Sequence, residues 1–340
     1  MNTIDKLYLT IALMLAIPFT EARAQGMMDV HSHNIPPYYV DMLELHDAAL
    51  EETFPLPAWD IAAHLRFMDS AGIGCTVLSM PAPQPYFGDS QESAAIIRRY
   101  NEDCARLKAE HPGRFKFCAS LPLPDVEAAL REAVYALDTL KADGIKLATN
   151  SRGQYVGDAA LDTLMGLLNE RGTVIILHPH RPTPFAAEVV ETTPLAAYEY
   201  PAETTRAVVN MIARNVLVRY PRLKVVVPHC GSFLPLALPR LKQVHPAMLR
   251  AGLMQSIDWE GNLSRLYYDL AGFSTPEVVK SLLTITTPDH LLYGSDYPYM
   301  PDEMLEGNAG RLHHFLASDP VLAPHAGDIM GGNARRLFGE

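Results

Sequence analysis

The chain is poor in cysteine, and its few cysteines follow no metal or disulfide pattern. The four, Cys75, Cys104, Cys118 and Cys230, show no Cys-x-x-Cys spacing, which excludes a structural zinc knuckle and a disulfide-stapled small scaffold. Cys75 and Cys118 lie in apolar runs and read as buried thiols. Cys230, which follows a histidine, reads as packing rather than as a nucleophile. Clustered positive charge is absent too. There are 28 Lys and Arg, in no basic block, against 39 Asp and Glu, for a formal net charge of -11. That argues against a nucleic-acid partner and leaves room for an anionic small molecule at a locally positive site. No Gly-x-Gly-x-x-Gly follows an apolar run, so a dinucleotide-binding open sheet lacks its fingerprint. Internal repeats, low-complexity tracts and inter-domain linkers are also missing.

A long apolar span is lacking as well. The run at residues 7–19 is too short for a stable membrane anchor, but Lys6 precedes it and Ala22-Arg23-Ala24 follows it. That order is the pattern of an export signal cut before Gln25. Residues 1–24 are therefore expected to be a signal peptide and residues 25–340 an exported, periplasmic protein. Translation from Met27 or Met28 would instead give a cytoplasmic one.

What is present is apolar material for a large core, 48% of 340 residues. After residue 28 short β-branched runs alternate with longer helical patterns. Strands are expected at 28–33, 75–80, 115–123, 144–149, 173–179, 223–229, 266–270 and 290–296. Helices are expected at 58–71, at 90–111 with Ser90 as cap, at 126–141 capped by Asp125, at 159–171 and at 201–215. Further helices follow around 233–245 and 258–265, after Thr275-Pro276-Glu277, and in a tail at 328–338. Eight strands, several of them continuously apolar, fit a sheet buried on both faces, and so a single-domain α/β fold, the (β/α)8 TIM barrel.

In such a barrel the chemistry sits where strands end. The first strand ends in His31 and His33, which share a face because side chains alternate along a strand. The fifth ends in His178, the sixth in His229 and the eighth in Asp296. Any one of these is an ordinary polar residue by itself. All five on one rim point to a metal site. His46, His64, His111, His245, His313, His314 and His325 fall in helices or turns and read as surface residues.

With these residues in view the chain resembles the amidohydrolase superfamily, in its aminocarboxymuconate-semialdehyde decarboxylase-like branch. The carriers are Asp29-Val30-His31-Ser32-His33, Leu177-His178-Pro179, Pro201-Ala202-Glu203-Thr204-Thr205, Tyr293-Gly294-Ser295-Asp296-Tyr297-Pro298 and Gly332-Asn333-Ala334. The stretch 117–130, with 135–140 and 142–144, resembles the 6-methylsalicylate (salicylate-type) decarboxylases in particular. The resemblance implies that His31, His33, His178 and Asp296 hold one divalent metal and that His229 is an acid/base beside it, with Asp296 sharing the catalysis. Three imidazoles and a carboxylate suit Zn2+, with Mn2+ as the alternative, and leave a position open. Lys146, within the fourth strand rather than at its end, reads as structural rather than as a carboxylated bridge between two metals.

The activity this implies is metal-dependent, non-oxidative decarboxylation of a 2-hydroxybenzoate-type or related unsaturated carboxylic acid, with protonation of the carboxyl-bearing carbon by Asp296 or His229. Metal-assisted hydrolysis of a lactone or amide would use the same ligands and stays as the alternative. His180 and Arg181, just past the fifth strand, and Phe87 and Tyr299, in loop positions, are candidates for contacting a small carboxylic acid. The semialdehyde decarboxylases carry an arginine for a second carboxylate after the first strand. Residues 41–57 here contain none, which disfavours a dicarboxylic substrate. The apolar segment 233–238 and the resemblance together suggest a homodimer.

Overall fold

The computed structural model describes residues 26–340 apart from 187, 189–191 and 273. The expected signal peptide lies outside the described residues. Eight parallel strands run in chain order around one sheet. They are β1 (Met27–His33), β2 (Ile73–Ser79), β3 (Phe115–Ala119), β4 (Gly144–Ala148), β5 (Val174–His178), β6 (Lys224–Val227), β7 (Leu266–Asp269) and β8 (Leu291–Leu292). The ring closes where Val30 N–H reaches Tyr293 O at 3.0 Å, Asp296 N–H reaches His31 O at 2.8 Å and His33 N–H reaches Tyr297 O at 2.8 Å. The expected (β/α)8 barrel is the observed one.

Both faces of the sheet are buried, as its apolar strands require. Inside, Met28, Val30, Val77, Ile176, Val226 and Leu292 touch in one cluster. Strands that far apart in the ring can meet only across its interior. The floor of this cluster is Ala334 and Leu337, from the helix Asn333–Leu337 that closes the N-terminal end of the barrel. Outside, Phe117, Leu147 and Val227 pack on helical residues such as Ile97, Leu164 and Val208. Each large side chain so withdrawn from water contributes about 1.5–3 kcal/mol.

Several boundaries differ from expectation for local reasons. The helix Ser90–Glu110 is capped by Asp89, whose carboxylate accepts from the N–H groups of Gln91 and Glu92; Ser90 is already helical. Asp60 caps its helix at Ile61, later than expected. The helix from Val126 stops at Val134 and passes into a π-turn, Tyr135–Thr139. β3 ends at Ala119 because the next peptide pairs with a side chain: Ser120 N–H donates to Asn101 Oδ1 at 2.9 Å and Asn101 Nδ2 donates to Ser120 O at 3.0 Å. Two histidines expected on the surface are buried. His64 lies against Tyr297, ring centroids 4.4 Å apart, and accepts from Trp59 Nε1–H at 3.1 Å, while His245 Nε2 is 2.9 Å from Gln255 O. In the rim segment 233–238, Leu234 and Leu238 face the core and Leu236 faces solvent.

Candidate metal centre

The first strand aims its histidines inward by breaking its own alternation. Met28 and Val30 point into the barrel, so a regular strand would send the odd positions outward. Pairing with β2 slips between Asp29 and Ser32. A bulge of this kind inverts the alternation beyond it, and His31 and His33 turn inward beside His178, with ring centroids 5.4 and 4.8 Å from it. Asp29 stabilises the slip. Its Oδ1 accepts from the N–H groups of His31 and Ser295, each at 3.0 Å, and its Oδ2 from the Ser295 hydroxyl at 2.5 Å. Burial pushes the Asp29 carboxyl up to about 6 despite these bonds.

Ligand atoms of His31, His33, His178 and Asp296 all lie within 4.8 Å of one another. Each imidazole commits Nδ1 to an acceptor: His31 to Asp269 Oδ2 at 2.9 Å, His33 to Ser79 O at 3.1 Å and His178 to Pro179 O at 2.9 Å. A proton on Nδ1 leaves Nε2 as a lone pair facing the centre. The Nε2 atoms of His31 and His33 are buried without a hydrogen-bond partner, each 3.4 Å from Asp296 Oδ1. Unpaired buried acceptors in this number are costly unless a cation meets them. The donor set therefore fits a single divalent ion.

The charges agree with that fit. Burial opposes a charge on His31, yet Asp269 and then Asp296 push it up to about 9, so the two carboxylates demand positive charge at the ring. Burial keeps His33 low and His178 far below the usual histidine range, so both stay neutral and able to ligate. Burial would raise the Asp296 carboxyl, but the neighbouring histidines, His31 first and then His229 and His33, hold it well below the usual carboxylate range. Asp296 sits four residues beyond β8 with a φ of 63°. That left-handed conformation is uncommon for a residue with a side chain and typical of sites that aim one.

His229 lies just past β6, in a turn over His229–Gly231, with a φ of 55°. Its N–H donates to Asp269 Oδ1 at 3.0 Å, and its Nε2 lies 3.6 Å from Asp296 Oδ2. One carboxylate, Asp269, thus holds both the His31 ring and the His229 backbone. Cys230 is buried with its thiol 3.9 Å from Ala271 O, and burial pushes the thiol far up, as suits packing.

The substrate-contact candidates separate. Tyr299 stands beside the ligands, its ring 5.5 Å from His33. His180 is buried, and burial depresses it to about 4. Arg181 is turned away to Glu51 Oε1 at 2.9 Å, which also takes Arg152 at 3.0 Å. Phe87 stands further out, stacked on His46 at 4.5 Å with the Arg152 guanidinium 5.7 Å from its ring. Lys146 points into the barrel and is buried, and no ion pair ties it among the described residues. Asp269, Glu52 and Tyr200 were not singled out from sequence, and Asp29 stood there only as part of the motif that carries the two histidines. Asp269 ends β7 as the ligands end theirs, so the same strand-end test would have found it. Glu52 and Tyr200 carry no such signal.

Comparison with known proteins decides the family. The amidohydrolase family profile matches residues 28–339. The chain belongs to the amidohydrolase family. A 6-methylsalicylic acid decarboxylase of Penicillium expansum is 31% identical over 316 residues, covering 92% of this chain and 95% of that one. Among solved structures, an amidohydrolase II superposes with a TM-score of 0.84 at 31% identity, over 92% of this chain and 100% of its own. A manganese-bound dihydroxybenzoic acid decarboxylase from Polaromonas shares the fold with a TM-score of 0.77 at 20% identity, over 92% and 97% of the two chains.

Proposed function

We propose that this amidohydrolase is a metal-dependent, non-oxidative decarboxylase of an aromatic carboxylic acid of the 2-hydroxybenzoate type. The observation that carries the reading is the ring of four ligands with His229 3.6 Å from Asp296 at its edge, in a chain alike end to end to a decarboxylase of a hydroxylated benzoate.

Breaking an aryl–carboxylate bond directly would leave a carbanion in the ring plane with no electron sink. The carboxyl-bearing carbon must be protonated first, and an ortho hydroxyl supplies the electron push. His31, His33, His178 and Asp296 would hold the ion, which as a Lewis acid would favour the phenolate form of the substrate. Tyr299, against His33, forms part of the wall for the flat ring. His229 Nε2 delivers the proton to the ring carbon. The C–C bond then breaks, its electron pair returns to the ring, and CO2 leaves. Asp296 Oδ2, facing His229 Nε2 at 3.6 Å, orients the imidazole between turnovers.

The ligand types alone favour zinc, and the manganese of the Polaromonas enzyme makes that ion the other candidate. Metal analysis of purified protein separates them. The test of function is CO2 release from a panel of 2-hydroxybenzoates set beside the opening of small lactones. About one equivalent of metal and CO2 from a salicylate are expected. His229→Ala should keep the metal and lose about 10²–10⁴-fold in kcat. Lactone opening with no CO2 from any acid would move the function to hydrolysis.

A further inference from the structure

Beside the ligand ring, two buried acceptors face one another. Glu52 and His180 are each 2% exposed, and Glu52 Oε1 lies 3.6 Å from His180 Nε2. Neither atom has a hydrogen-bond partner. Their remaining polar atoms are committed: Glu52 Oε2 accepts from the Tyr200 hydroxyl at 2.7 Å, and His180 Nδ1 is 3.2 Å from Arg181 O. A proton on Nδ1 for that carbonyl makes Nε2 a lone pair, so carboxylate oxygen and imidazole nitrogen both wait for a donor. The nearby guanidiniums do not supply one, because Arg152 and Arg181 both end on Glu51 Oε1. Tyr200 connects the pair to the metal centre, its ring centroid 6.2 Å from that of His178, and His180 is two residues beyond that ligand.

We propose that Glu52 and His180 form a substrate subsite for a hydrogen-bond-donating ring substituent, a hydroxyl or an amino group, and that the same pair rejects a second carboxylate. The inference rests on the decarboxylase reading of this site. An amino group placed between the two atoms can give each the donor it lacks, and a hydroxyl can give it to one of them. A carboxylate there would bring two more acceptors and a like charge against Glu52, while the guanidiniums of Arg152 and Arg181 end on Glu51. Selection is by an unmade bond as much as by a made one, since an acid without the donor leaves both groups buried and unpaired.

The experiment uses metal-loaded protein and two readouts, calorimetric binding and decarboxylation, on 2-hydroxybenzoates carrying a further hydroxyl, amino, methoxy or carboxyl group. Wild type is expected to bind the hydroxyl or amino acid at least about tenfold more tightly than its methoxy counterpart, and the dicarboxylate most weakly. The hydroxyl and amino arms show which donor the subsite takes. In Glu52→Gln the new amide N–H can meet His180 Nε2 within the protein, so the donor preference should vanish while metal content holds and Tm stays level or rises. Glu52→Leu should also remove the preference, without the gain in Tm. A preference that survives in both variants, or a wild type that treats the methoxy and hydroxyl acids alike, overturns the proposal. Donor-selective binding without CO2 release would leave the subsite standing and remove the decarboxylase reading instead.

Discussion

A histidine can hold a cation only through the nitrogen that carries no proton, so the partner of the other nitrogen decides whether it is a ligand. Ser79 O and Pro179 O are carbonyls and can only accept, which fixes His33 and His178. His31 depends on a side chain. Asp269 Oδ2 holds its Nδ1, and Asp269 Oδ1 takes the N–H groups of His229 at 3.0 Å and Ala271 at 3.1 Å. In Asp269→Asn the amide oxygen can keep the two backbone bonds, which turns the amide N–H groups toward His31 Nδ1. That arrangement favours the wrong tautomer, with a proton on the ligating nitrogen. Metal affinity is expected to fall about 10–100-fold while the fold persists. Competition with a metal indicator measures it, and an unchanged affinity would show that Asp269 only supports the backbone.

At the scale of elements, the centre depends on how closely β8 approaches β1. β8 is only Leu291–Leu292, shorter than its apolar run, because Ser295 leaves the ladder to bond Asp29. Between them Gly294 passes so near that an added Cβ would lie 2.8 Å from His31 Cβ and 3.2 Å from Ala271 Cβ. Gly294→Ala must therefore push the loop bearing Asp296 away from the strand bearing His31. A stability loss of about 1–3 kcal/mol is expected, together with weaker metal binding, read by denaturant unfolding with and without the ion. Loss of stability alone, with metal affinity intact, would mean that Asp296 is placed independently of this contact.

The same elements explain what the sequence made legible. His31, His33, His178, His229 and Asp296 could be found because each ends an apolar run, and a barrel turns strand ends into one rim. The slip in β1 could not be found, since an alternating pattern does not reveal where one residue is added. Asp89 in place of Ser90 as a cap is a one-residue choice between two good capping side chains. Glu52 and Tyr200 meet only because a loop and a helix from distant parts of the chain fold over the same mouth, and neither lies in a repeating pattern.

For the whole molecule, the barrel interior grades from apolar to polar, and Lys146 stands at the change. It points inward from β4, opposite Ile176 in the register and above the cluster of Val174, Val226 and Leu292. Burial opposes its charge more than Glu52 supports it, and its ammonium is pushed down from 10.5 to about 8. Below pH 8 both folded and unfolded chains carry this proton, and the folded state bears the cost of a buried charge. Between pH 8 and 10.5 the unfolded chain keeps a proton that the folded one has shed, so this group makes stability rise with pH across that window. Lys146→Met keeps the length of the side chain and removes the charge. The variant is expected to be more stable than wild type at pH 7, by up to about 3 kcal/mol. That advantage should shrink as the pH approaches 10.5, while tyrosines and cysteines common to both proteins cancel in the difference. Urea unfolding of the pair at pH 7, 8.5 and 10 reads it directly. An advantage that does not change with pH would assign the effect to packing, and a variant less stable at every pH would show that the interior holds a counter-charge for Lys146 strong enough to outweigh its burial.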